Sequence, residues 1–193
     1  PHPTAEKCTS TLETFLRQAG EALTVGGIHT PNHRWVVCMA LARLHALFPN
    51  EKYVQRIDEW LAEKIDLDPD GQYHEKSTNI YSPLTNRCLI TVARLLERPD
   101  LYEPVRRNLE MTLYYLHPNG EVATEASGRQ DQYQTGTLRN YFYPYHYMAR
   151  YDANGRFAAV SQMIPQQVEW SSLLQNLAYW QEDERLSESL PTT

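Results

Sequence analysis

The sequence predicts an all-α protein in which antiparallel helix hairpins pack side by side as an incomplete α/α toroid, with no major sheet. Three observations support this. Apolar residues recur every three or four positions along seven segments, the period of a helix with one buried face. The chain resembles itself at a spacing near 50 residues. No segment shows the sustained two-residue alternation of a half-buried strand.

Taken in order, Leu12, Phe15, Leu16, Ala19 and Leu23 mark a first amphipathic helix. Val37, Leu41, Leu44 and Phe48 mark a second, ended by Pro49-Asn50. Val54, Ile57, Leu61 and Ile65 mark a third; Leu84, Cys88, Val92 and Leu95 a fourth, ended before Pro99. Leu101, Val105, Leu109, Leu113 and Leu116 mark a fifth. Leu138, Phe142, Tyr145 and Met148 mark a sixth, which Pro144 is expected to kink or split. Trp170, Leu174, Leu177 and Trp180 mark the last. Short extended pieces are expected near 72–74 and 121–124.

The repeat lies in the punctuation. Two helices end in ALARLHALFPN and TVARLLERPD, and each is followed by another amphipathic helix. Each of those leads into a polar loop, DPDGQYHE or HPNGEVATE, whose Asp-Gly or Asn-Gly signals a tight turn. Gly71 and Gly120 are 49 residues apart, and Pro49 and Pro99 are 50 apart. A third, looser copy starts near Arg139. One hairpin cannot bury its apolar face alone, so the copies must stack. An open solenoid and a toroid both fit, and the long polar loops on every second connection favour the toroid. Residues 1–182 are therefore expected to form the helical-hairpin domain. Residues 183–193 read as a tail or linker.

Composition limits the function. The chain has 193 residues, enough for one domain with a real core. Its net charge of −6 lacks the basic excess expected of a nucleic-acid binder. No apolar run reaches the length of a membrane span. Cys8, Cys38 and Cys88 are widely separated, and Cys38 and Cys88 fall on apolar helix faces as buried free thiols. No CxxC, HExxH or HxxxH spacing offers a metal frame, so neither metal nor other cofactor is expected. Nor is there a GxSxG nucleophile elbow.

Two regions carry chemistry. In TPNHRW, Thr30 is placed to cap a helix and Pro31 to be its first residue, which puts Asn32, His33 and Arg34 at a positive helix end. The plainer reading of these three is a capped helix start with a surface arginine. After the Asp70-Gly71 turn come Tyr73, His74, Glu75, Asn79 and Tyr81. The plainer reading is a solvated loop with its tyrosines packed down. A tyrosine becomes a usable base only beside cations, because its ordinary pKa is near 10. The second region, residues 126–151, holds Arg129, Gln130, Asp131 and Tyr133. It then crowds Tyr141, Tyr143, Tyr145, His146, Tyr147 and Tyr151 onto one helix. Aromatic rings suit a sugar, although the spacing of Phe142, Tyr145 and Met148 is that of a core.

The Asn32-His33 pair at a helix start, the Asp70-Gly71-Gln72-Tyr73-His74-Glu75 loop and then Tyr81 together resemble the toroid domain of heparinase II/III-like polysaccharide lyases and of the alginate lyases that share it. The resemblance extends over about residues 20–180. It implies β-elimination on a uronic-acid-containing polysaccharide, a β-sandwich domain to which residues 183–193 would lead and which this sequence does not contain, and a periplasmic or secreted location. Asn32 and His33 would neutralise the C5 carboxylate, and Tyr81 would take the C5 proton and return it to the leaving oxygen. Glu75 would orient, while Arg34, Tyr73, Arg87, Glu125, Arg129, Tyr143 and His146 are candidate substrate contacts. Arg139, at the start of the third copy, is another cation for an anionic groove. Lys76-Ser77 departs from the Gly-Pro that follows the loop Glu in that family.

Two other functions fit the same residues. A toroid glycoside hydrolase, including one acting on unsaturated uronides, would use Glu75 and Glu125 as its carboxylate pair, since they fall about one repeat apart. A non-catalytic helical-repeat scaffold would bind glycan or protein with Asn32, His33 and Tyr81 scattered.

Overall fold

The structure is a computed structural model that describes residues 3–26 and 30–192. Eight α-helices are found among them: α1 (Pro3–Val25), α2 (Pro31–Leu47), α3 (Glu51–Ala62), α4 (Tyr81–Leu95), α5 (Tyr102–Thr112), α6 (Phe142–Tyr151), α7 (Gly155–Gln167) and α8 (Leu177–Glu182). The only sheet among the described residues joins β1 (Glu121–Val122) and β2 (Gly136–Thr137) in antiparallel register. None of the helices is long and apolar enough to cross a membrane.

The helices form three hairpins, α2–α3, α4–α5 and α6–α7. Helix α4 lies against both α2 and α6, so these three make one layer with α3, α5 and α7 outside it. Helix α1 packs on α2 and α3. Central α4 is the most enclosed: ten of its residues are buried, including Cys88, Leu89, Ile90 and Val92. Cys38 and Cys88 are free thiols in this core, and burial pushes each up to about 12. They are inert packing groups.

Helix α7 has no counterpart among the seven predicted helices. It opens on Gly155, a poor helix former, and Pro165 lies inside it, two residues that argue against a helix. Asn154 starts it by accepting hydrogen bonds from the amides of Arg156 and Phe157. Pro144 falls in the first turn of α6, where no intrahelical donor is lost, so it neither kinks nor splits the helix. The segment from Trp170 begins as a 3-10 turn to Asn176 before becoming α8.

The repeat is structural as well as sequential. In the first polar loop, Leu67 bridges Tyr73, and the amides of Asp68 and His74 donate to the carbonyls of Gln72 and Asp66. In the second, Leu116 bridges Val122, and the amides of His117 and Ala123 donate to Glu121 and Tyr115. Every partner is displaced by the same 49 positions that separate Gly71 from Gly120. Those two glycines take φ of +98° and +83°, a region that side chains disfavour. A Cβ on Gly71 would lie 2.5 Å from the backbone oxygen of Arg107.

Behind the first loop runs a buried polar chain. Tyr73 donates to Asn86 Oδ1 (2.8 Å), Asn86 Nδ2 to Asn108 Oδ1 (2.8 Å), and Asn108 Nδ2 to the Gly71 carbonyl (2.9 Å). It fixes the glycine turn onto α4 and α5 with its polar groups paired.

Residues 183–192, expected as a tail or linker, pack back on the hairpins. Leu186 is buried, and its carbonyl accepts from His146 Nε2 at 2.9 Å, while His146 Nδ1 faces Ser161 Oγ at 3.1 Å. Burial lowers the pKa of His146 from its ordinary 6.5.

Two predictions follow from these contacts. Gly71→Ala should cost about 1–3 kcal/mol in urea unfolding, from strain and the clash with backbone. Gly120→Ala should cost less, because its new Cβ meets only the movable end of Gln167. For His146, the unfolded chain takes up a proton near pH 6.5, whereas the folded chain takes it up only at lower pH. Stability from this group is therefore complete above that pH and falls as pH drops below it. Comparing His146→Gln with the parent at pH 7.5 and 5.5 should show a smaller pH dependence in the variant.

Candidate functional site

The two polar loops do not stand apart on the rim; they are stitched together. The amide of Gly128 donates to the Lys76 carbonyl (2.6 Å) and the Thr78 hydroxyl to the Ala123 carbonyl (2.8 Å). The Tyr141 hydroxyl donates to the Thr78 carbonyl. At the centre is Asp131, fully buried. Its Oδ2 accepts from Ser77 Oγ (3.0 Å), the Asn79 amide (3.0 Å) and Ser127 Oγ (3.2 Å), and its Oδ1 has no protein partner. Ser77 Oγ in turn accepts from the Tyr81 amide at 3.1 Å, at the first residue of α4.

This network brings three consecutive residues of the second loop to Tyr81. Arg129 places its guanidinium 5.2 Å from the ring centre. Gln130 Nε2 donates to the phenolic oxygen at 2.6 Å. Asp131 holds the backbone of Tyr81 through Ser77. Negative charge developing on that oxygen would meet the Gln130 donor, with the Arg129 cation over the ring. Gln130 and Asp131 are functional candidates that local patterns did not single out, because their partners lie about one repeat away in sequence. The only signal was their position beside Arg129 in a polar stretch.

Arg129 also reaches toward Glu75, with Nη2 3.6 Å from Oε1. The Glu75 side chain is 5% exposed, and its Oε2 accepts from the Asn32 amide at 3.1 Å. Thr30 has the extended backbone of a helix cap, but its side chain makes no capping bond. The carboxylate that caps α2 comes instead from Glu75, 43 residues away, and lies favourably at the positive helix end.

Asn32, Glu75, Arg129 and Tyr81 are thus gathered where α2 and α4 begin. The Asn32 side chain is buried, however, and its Oδ1 accepts from Thr30 Oγ1 at 3.3 Å, so it does not face solvent. His33 follows it and is exposed. Arg34 is buried and paired with Asp66 and Glu63, the latter at 2.9 Å. Its charge is already matched inside the protein.

Other candidates lie elsewhere. Tyr73 belongs to the buried chain behind the glycine turn, and burial pushes its phenol well above the ordinary value. Tyr143 is buried against Tyr179 with rings 4.2 Å apart, and its phenol is likewise pushed far up by burial. Both are packing groups, because their rings fall on the inward positions of the fold. His146 is committed to Ser161 and Leu186. Arg87 is half-buried in α4, and Arg139 is exposed in the 3-10 turn before α6. Glu125 is exposed beside a shallow pocket lined also by His117, Tyr133 and Gln134. The 49-residue register places Thr124, not Glu125, opposite Glu75. The expected equivalence of the two glutamates is therefore off by one residue, and Glu75 is occupied as a cap. Among the described residues no group of three or more His, Cys, Asp or Glu side chains is placed to hold a metal ion.

Compared with protein-family models, curated proteins and solved structures, the chain has no significant match.

Replacing Asp131 tests the network. Asp131→Asn should lower stability by about 1–3 kcal/mol, since one set of donors loses its charged acceptor. Native-state hydrogen exchange should show the Asn79 and Tyr81 amides opening more readily in the variant.

Proposed function

We propose that this domain performs β-elimination on a uronic-acid-containing polysaccharide, with Tyr81 as the proton-transfer residue. The observation that carries this reading is the convergence of Arg129 and Gln130 on the Tyr81 phenol, at the helix-start rim that also holds Asn32, His33 and Glu75. Tyr81, as its phenolate, takes the proton at C5 of the uronate. The electron pair forms the C4–C5 double bond as the bond to the glycosidic oxygen breaks. The proton then passes from Tyr81 to that leaving oxygen.

Arg129 supplies the charge that steadies the enolate-like carboxylate, and exposed His33 follows Asn32 at the same helix start. This reassigns a role that the family resemblance gives to Asn32, whose side chain is buried. Glu75 holds the start of α2 and draws Arg129 toward it, so it positions the cation and does not touch the sugar. The hydrolase alternative has less support, because Glu75 is bonded to a helix end and Glu125 is not its repeat partner.

The test is release of unsaturated uronides from polygalacturonate and alginate, followed by ultraviolet absorbance. The parent should generate the chromophore, Tyr81→Phe should lower the rate by about 100-fold or more, and Arg129→Gln should lower it by a similar order. Equal rates for parent and Tyr81→Phe would overturn the mechanism. Binding of polymer without chromophore, unchanged by Tyr81→Phe, would favour the non-catalytic scaffold.

A further inference from the structure

The far ends of the inner helices carry a second device. Each hairpin contributes an Ala-Arg pair near the end of its inner helix: Ala42-Arg43 in α2, Ala93-Arg94 in α4 and Ala149-Arg150 in α6. All three alanines are buried. All three arginines reach the same C-terminal segment. Arg43 Nη1 lies 2.5 Å from Glu182 Oε1, and Arg94 Nη2 lies 2.7 Å from Glu182 Oε2. Arg150 pairs with Glu188, and its Nη1 donates to the Ser189 carbonyl at 2.8 Å.

Aromatic contacts start the segment. Tyr179 stacks on Tyr143, and Trp180 stacks on Phe142 with rings 5.4 Å apart and nearly parallel. Between the two acidic anchors, Leu186 is buried and its carbonyl accepts from His146. Helix α8, by contrast, has no buried residue. Rings, carboxylates and backbone carbonyls hold this strap, together with buried Leu186 and half-buried Tyr179, Trp180 and Leu190 packed on the core. Its ion pairs reach solvent, so it is expected to open ahead of the enclosed α4.

We propose that the row Arg43–Arg94–Arg150, with Phe142, Tyr143 and His146, is a docking groove for an acidic peptide, and that residues 179–189 are its occupant in cis. The partner it fits has an aromatic pair, an acidic residue two positions after it, a leucine four positions further and a second acidic residue two beyond. Charge spacing supports this: the two glutamates meet arginines from three successive hairpins. Backbone carbonyls at Glu182, Leu186 and Ser189 also accept from groove side chains, which is recognition of a peptide main chain. The tethered strap competes at a high effective concentration, so the groove takes an outside peptide only when the strap is weakened.

The test uses the full chain and a fluorescein-labelled peptide with the sequence of residues 177–190. Glu182→Gln/Glu188→Gln should raise hydrogen exchange across 179–189. It should also bind the labelled peptide at least tenfold more tightly than the parent, with affinity falling as salt rises. Adding Arg43→Gln and Arg94→Gln should remove that gain. The proposal fails if the double variant exchanges faster across 179–189 yet binds the peptide no better than the parent. It fails also if exchange there is unchanged, because the ion pairs would then not hold the strap. Displacement of the peptide by polygalacturonate at equal charge concentration would identify a general polyanion track and overturn the peptide assignment. Because the readout is binding, Tyr81→Phe should leave every result unchanged, which separates this proposal from the lyase reading.

Discussion

One buried carboxylate governs the candidate site. Asp131 sits on the second polar loop, and its Oδ2 collects donors from the first loop and from its own. A charge is costly to bury, and a geometry that places three donors on one oxygen offsets much of that cost. The same geometry leaves the loops one relative position. Tyr81 inherits its place from this contact, since its amide is held by Ser77 and its side chain by the two residues before Asp131. Asp131 acts with the Gly128–Lys76 and Thr78–Ala123 bonds between the loops to aim Arg129 and Gln130 at one phenol.

The fold explains why the loops meet. Successive hairpins return the chain to the same rim, and one 49-residue step brings two equivalent turns side by side. Helix starts then carry the polar chemistry, and helix ends, about 20 Å away at 1.5 Å per residue, carry the arginine row. The two ends of one layer thus present different surfaces. The helix starts expose a cation and a phenol, whereas at the helix ends the cations are already paired with the chain's own carboxylates.

Much of this was legible in the sequence. The 3.6-residue periodicity located the helices up to the sixth, and the Asp-Gly and Asn-Gly turns gave the repeat that the backbone follows. Short extended pieces were expected near Tyr73 and Val122, where the bridges form. What stayed hidden depends on long-range partners. Glu75 reads locally as a loop acid, yet it caps α2 because the first loop folds back across 43 residues. Tyr73 reads as a sugar contact, yet alternation about the bridge turns it inward to Asn86. Helix α7 hides behind a glycine and an internal proline. The acidic tail looks like solvated linker until three arginines, each about a repeat apart, are seen on one face.

On the proposed mechanism, the rim formed by the two loops holds a uronate with its C5 proton at Tyr81. The most direct measurement is a crystal structure of the Tyr81→Phe protein with a bound uronate oligosaccharide. A sugar ring is expected over the start of α4, its carboxylate against Arg129 and His33, and C5 about 3–3.5 Å from where the phenolic oxygen stands. An oligosaccharide seated away from this rim, or one whose C5 faces away from residue 81, would contradict it.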